Sequence, residues 1–200
     1  MAGAMLVVGY LCGSISSAIV ICRLLGHADP RTVGSMNPGT TNVLRLYGKA
    51  AAIMTLAGDV AKGVVPVVVA HTLDAGDMAI ALAGLGAFLG HLYPVFFGFV
   101  GGKGVATLIG VLLGFNPWFG IAFMGTWVAV AVITRYSSLS ALTATALIPF
   151  IAAWLEASAA VVTALVVMAA FVYWRHRSNI RNLRAGREDK IGAKRKPVES

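Results

Sequence analysis

Residues 34 to 45 read Gly34-Ser35-Met36-Asn37-Pro38-Gly39-Thr40-Thr41-Asn42-Val43-Leu44-Arg45, a polar island between two long apolar runs. Glycines let the backbone approach an anion, while Ser35, Thr40 and Thr41 offer hydroxyls. Asn37 and Asn42 add carboxamides and Arg45 a planar fork of donors. Such a set of donors suits phosphate. The same residues also suit a capped loop, because Thr41 or Asn42 can begin a helix.

A second stretch, Gly101-Gly102-Lys103-Gly104-Val105-Ala106-Thr107, opens another apolar run and puts a lysine and three glycines where a helix N-terminus presents free N–H groups. That end of a helix attracts anions. Phe97 stands where a Walker A loop has its first glycine, and Gly104 follows the lysine where Ser or Thr is required, so nucleotide binding is disfavoured. A tight turn with a snorkelling lysine is the plainer alternative. A third cluster, His176, Arg177, Asn179 and Arg181, follows the last apolar run directly. A histidine there is either a proton carrier or an interfacial polar group. Ser137, Ser138 and Ser140 start a further run, as helix caps or with one hydroxyl turned to a cavity. Asp59 and Lys62 share one helical face inside an apolar run, where pairing is the expected state, and His91 reads as a packed or hydrogen-bonded residue. No Cys and His pattern has metal-ligand spacing, and neither a G-x-S-x-G elbow nor a His-x4-Asp signature occurs.

These clusters must be carried by membrane-length helices. The chain has 200 residues, 58% hydrophobic and only 12% charged, against about a quarter charged in soluble domains. Apolar runs lie at about 4–25, 48–71, 78–98, 104–115, 117–134, 138–154 and 157–174. A crossing takes about 20 apolar residues. The expected fold is therefore an all-α polytopic bundle of about seven transmembrane helices, some of them half-spans. The fourth run is the short one, ended by Phe115-Asn116-Pro117. Residues 1–190 form one membrane-embedded domain and 191–200 a polar, disordered tail. The start of the chain lacks the basic region of a cleavable signal, so the first run reads as a retained span. Cys12 and Cys22, about 15 Å apart on one helix, read as packing residues. Every Lys and Arg except Lys62 falls on one side of this arrangement, together with all three polar clusters; the opposite loops hold Asp74, Asp77 and Glu156. The positive-inside rule puts the N-terminus outside and the C-terminus in the cytoplasm. A phosphate-ester permease is the rival reading, but polar residues do not continue to the outer loops and no repeated halves are visible.

The whole pattern resembles the bacterial acyl-phosphate:glycerol-3-phosphate acyltransferases over nearly the full chain. The resemblance rests on Gly34-Ser35-x-Asn37-x-Gly39-x-Thr41-Asn42-x-x-Arg45, on Gly101-Gly102-Lys103-Gly104-Val105-Ala106-Thr107, and on His176-Arg177-x-Asn179-Ile180 followed by Leu183, Gly186, Glu188 and Lys190. Met36, Thr40 and Asn182 depart from it, standing where the family often has Gly, Ala and a basic residue. The resemblance implies acyl transfer from acyl phosphate to the sn-1 hydroxyl of glycerol 3-phosphate, giving lysophosphatidic acid and inorganic phosphate at the cytoplasmic face of the bacterial membrane. It implies Lys103, His176, Asn179 and Ser138 as catalytic residues. Ser35, Asn37, Gly39, Thr41, Asn42, Arg45, Gly101, Gly102, Gly104, Thr107 and Arg177 are the implied substrate-binding set. No cofactor, metal, nucleic acid or obligate protein partner is expected, only the two substrates and membrane lipid.

Overall fold

A computed structural model of the chain describes residues 1–192. Ten α-helices follow one another among those residues: α1 (Ala2–Gly13), α2 (Ser17–Leu24), α3 (Thr40–Tyr47), α4 (Lys49–Thr72), α5 (Asp77–Leu92), α6 (Val105–Phe115), α7 (Pro117–Thr134), α8 (Ser137–Trp154), α9 (Ala159–Arg175) and α10 (Arg177–Arg184). Five stretches are long and apolar enough to cross a bilayer, one of them running through α1 and α2, while α9 and α10, bent by 59°, reach that length only when taken together. The seventh expected span, α6, has 11 residues, or about 16 Å at 1.5 Å per residue. It covers about half of a hydrocarbon core and is a half-span.

Small residues set the packing. Gly9 and Gly13 on α1 and Gly86 and Gly90 on α5 recur at four-residue spacing, leaving bare backbone on the facing sides. A Cβ at Gly9 would lie 2.2 Å from the Ala83 carbonyl oxygen, and one at Gly90 2.2 Å from that of Tyr10. The pair α4 and α6 meets in the same way, with Gly63 against the Thr107 carbonyl and Gly110 against that of Val60. Phe88, Leu92, Leu108, Leu112, Phe123 and Met168 fill the interior between these backbones.

The first apolar run is one span, as expected, but its helix is broken between α1 and α2. Ser14 ends α1, with its hydroxyl donating to the Tyr10 carbonyl at 2.7 Å and accepting from the Val95 N–H. The break frees the Ile15 carbonyl, which accepts from Lys62 Nζ at 2.8 Å. Lys62 also pairs with Asp59 at 2.8 Å, as their spacing predicts. The polar island is half turn and half helix: residues 34–38 are irregular, and α3 starts at Thr40. At the other end, Asn116 Oδ1 accepts from the Trp118 N–H, and Pro117 occupies the first helical position of α7, which separates it cleanly from α6. The last two described residues are tied to the bundle. The Ile191 N–H donates to the Arg135 carbonyl at 2.7 Å, and Arg135 Nη2 donates back to the Ile191 carbonyl, so 191 and 192 belong with the bundle; residues 193–200 lie outside the described residues.

Because Gly63 faces backbone, Gly63→Val must push α4 from α6 and cost at least about 1–3 kcal/mol, the usual overpacking range. Gly125 has no atom within 4 Å of a built Cβ, so Gly125→Ala should instead add about 0.5–1 kcal/mol through helix propensity. Unfolding temperatures of both variants in detergent check the contrast.

Candidate active site

The polar clusters meet at one cavity of about 680 Å³, bordered by Ser35, Asn37, Gly39, Thr40, Thr41 and Arg45 from the first island, Lys103 and Gly104 from the glycine turn, and His176 and Asn179 from the end of α9 and α10. Ser138 from α8 and Glu188 and Asp189 from the returning tail complete the polar rim. The remaining wall is apolar, with Leu56, Val105, Ile109, Met124, Trp127 and Val128. One end of the space therefore suits charge and the other hydrocarbon.

The glycine turn is fixed from behind. Arg175 Nη2 donates to the Gly101 carbonyl at 2.6 Å and its Nε to the Gly102 carbonyl at 3.1 Å. Gly102 N–H donates to the His91 carbonyl at 3.2 Å. Gly104 then adopts φ +88°, and a Cβ there would lie 2.3 Å from the Phe88 ring, so only glycine can turn the chain into α6 at this place. The first amides of α6 have no acceptor within the helix, and Lys103 stands beside them, a set of donors whose chemistry suits an anion.

A chain of side-chain bonds crosses the cavity mouth. Lys103 Nζ donates to Asn179 Oδ1, Asn179 Nδ2 donates to Glu188 Oε1 at 2.7 Å, and Ser138 Oγ donates to the same oxygen at 2.6 Å. Both ends of the Asn179 amide are thus occupied, which makes it an orienter of Lys103. Burial pushes the Lys103 ammonium below its ordinary pKa, with Glu188 opposing that shift and Arg175 and Arg45 adding to it. His176 caps α9 at the bend that joins it to α10. Its Nδ1 lies 2.8 Å from the Val172 carbonyl, which can only accept, so Nδ1 carries a proton and the neutral ring keeps its lone pair on Nε2. Arg45 reaches Asp189 at 3.3 Å in a half-exposed pair, a kind worth about 0–1 kcal/mol.

Five of the expected binding residues make other contacts, Asn42 among them although it also borders the cavity. Asn42 is 2% exposed, and its amide holds the island together: Oδ1 accepts from the Ser35 N–H, and Nδ2 donates to the Pro30 and Val33 carbonyls. Gly101 and Gly102 shape the turn behind the cavity wall. Thr107, on α6, is fully buried and outside the cavity lining. Arg177 lies outside it too, over the Trp174 ring at 5.0 Å. Of the serines that open α8, Ser138 faces the site and Ser140 bonds back to the Tyr136 carbonyl; neither caps the helix. Sequence reasoning overlooked Arg175, whose only signal is a basic residue in the last turn of a span. It also took Glu188 only as one member of a motif.

Residues 3–186 match the family described as glycerol-3-phosphate acyltransferase. The chain is similar to the glycerol-3-phosphate acyltransferase of Thioalkalivibrio sulfidiphilus, 55% identical over 196 residues that cover 98% of this chain and 97% of the relative. That of Hydrogenovibrio crunogenus is 52% identical, covering 91% and 88%. Two crystal structures of PlsY (YgiH), an integral membrane glycerol 3-phosphate acyltransferase, superpose on the fold. The glycerol 3-phosphate form gives a TM-score of 0.91 at 38% identity, covering 96% of each chain. The lysophosphatidic acid form gives 0.89 at 36%, covering 96% and 95%.

Only the protonated Lys103 attracts an anion, so anion binding fades as pH rises through its pKa. Glu188→Gln keeps an acceptor for Ser138 and Asn179 but removes the charge that holds that pKa up. Protection from thermal unfolding by inorganic phosphate should therefore fade at a lower pH in the variant than in the parent protein.

Proposed function

The chain belongs to the glycerol-3-phosphate acyltransferase family, and from that premise we propose that its donor is an acyl phosphate and its acceptor the sn-1 hydroxyl of glycerol 3-phosphate, giving lysophosphatidic acid and inorganic phosphate. The observation that carries the proposal is the single cavity with cationic and amide donors at one end and an apolar wall at the other. Two phosphorylated substrates, one with a long alkyl chain, match that division.

In this reading Arg45, Ser35, Asn37, Gly39 and Thr41 hold the glycerol phosphate, which displaces the weak Asp189 contact from Arg45. Lys103, oriented by Asn179, and the first amides of α6 hold the acyl phosphate, and its chain lies along Ile109, Met124 and Trp127. An acyl phosphate is an activated mixed anhydride, so position and charge stabilisation suffice and no covalent nucleophile is required. The hydroxyl attacks the acyl carbon, the bond to the phosphate oxygen breaks, and Lys103 stabilises the departing phosphate. The hydroxyl proton passes to His176 Nε2 or to a phosphate oxygen. Ser138 keeps Glu188, and through it Asn179, in register. With the basic loops inside, this chemistry takes place at the cytoplasmic face.

Purified protein should release phosphate from palmitoyl phosphate only when glycerol 3-phosphate is present; success with an acyl thioester and failure with acyl phosphate would overturn the donor. Lys103→Ala and Arg45→Ala should each lower kcat/KM by roughly 100-fold or more, a usual loss for a preorganised charge partner. His176→Gln separates the two proton acceptors: activity within a few-fold of the parent assigns the proton to phosphate.

A further inference from the structure

His91, at the end of α5, stands between the two phosphate-binding turns. Its carbonyl accepts from the Gly102 N–H, and its ring is pressed against the same residue. A Cβ built on Gly102 would lie 2.2 Å from His91 Nε2 and 3.2 Å from the Pro38 carbonyl oxygen. The imidazole edge, the glycine turn and the Asn37-Pro38-Gly39 turn therefore converge on one point. On its other side, Nδ1 faces Asp59 Oδ1 at 3.6 Å, and Asp59 is held by Lys62 at 2.8 Å. Lys62 in turn is anchored on the Ile15 carbonyl at the break of the first span.

All three side chains are buried, and both Asp59 and His91 border the cavity. A buried ionic cluster is weak evidence for stability, since apolar packing commonly does as well. Charges within membrane-length helices are also costly. What this cluster does supply is a buried ring packed at the junction of the two turns, with its Nδ1 toward the Asp59–Lys62 pair.

We infer that His91, seated against Gly102 and facing Asp59, is a positioning residue that sets the separation of the two turns, and with it the reach between the bound hydroxyl and the acyl carbon. This rests on the two-substrate reading of the cavity. Reacting atoms must approach to about 3–3.5 Å, and a displacement of about 1 Å costs on the order of 100-fold. The signature is a loss in kcat rather than in KM.

Steady-state kinetics in both substrates, with unfolding temperatures measured in parallel, test this. His91→Ala should lower kcat about 10- to 100-fold while moving either KM less than about 3-fold. His91→Gln, whose carboxamide nitrogen reaches the Nε2 position, should recover most of that loss, and Asp59→Asn should fall between. Gly102→Ala combined with His91→Ala should lose less than the product of the single losses, because the methyl group enters the space the ring leaves. If His91→Ala does not fold, the Gln and Asn variants decide. Parent-like kcat in the variants overturns the inference, as does a loss confined to one substrate's KM or one that follows unfolding temperature in His91→Ala and His91→Gln alike. The donor reading is judged separately on the parent enzyme with palmitoyl phosphate, and the ratio of variant to parent kcat is taken with whichever donor the parent accepts.

Discussion

Two backbone carbonyls turned toward one guanidinium fix where everything else in the site can stand. Arg175 takes the Gly101 and Gly102 oxygens, so the glycine turn is fastened on the face away from the cavity. The amides that follow at the start of α6 are left without an acceptor in the helix. A neutral side chain would leave both carbonyls without a charged donor in a half-buried place, where an unmade bond is expensive. Arg175 also lies 5.8 Å over the Tyr93 ring, which ties the end of α9 to the end of α5.

The space itself comes from close packing elsewhere. Glycine contacts bring α1 onto α5 and α4 onto α6, and the short α6 ends its N-terminal turn at Lys103 instead of running the full depth of the bundle. Above that turn, α4, α7 and α8 enclose the cavity. A full-length helix at this position would occupy the volume of the cavity. The half-span is thus the feature that converts a helix bundle into a container, and Gly104, with its positive φ and the Phe88 ring against it, is where the chain makes the turn.

The side chains around the mouth act as one network. Lys103, Asn179, Glu188 and Ser138 come from the α6 turn, α10, the returning tail and α8, and each bond fixes the direction of the next. In a space of low polarity such chains strengthen one another, and a partly satisfied one is costly. Arg45 differs in being only loosely held by an exposed carboxylate. The rim therefore combines a rigid cation beside the glycine turn with an exchangeable one on α3.

Composition and motif spacing by themselves determined that the chain is a helical membrane bundle, that its polar clusters share one face, and which family it resembles. Hydrophobic run length and charge asymmetry are local properties that need no tertiary contact to be read. The pairing of Asp59 with Lys62 was legible for the same reason, being separated by less than one helical turn. Only the tertiary structure decided what Asn42, Thr107, Arg177 and Arg175 do. Asn42 and Arg45 sit one turn apart in the same motif, yet one amide is consumed by carbonyls of its own loop while the other cation faces the cavity. Arg175 and Gly101, or His91 and Asp59, belong to different helices, and which of their donors meet depends on how closely glycine lets those helices approach. A residue type states which bonds it can make; the packing of distant backbones decides which of them it does make.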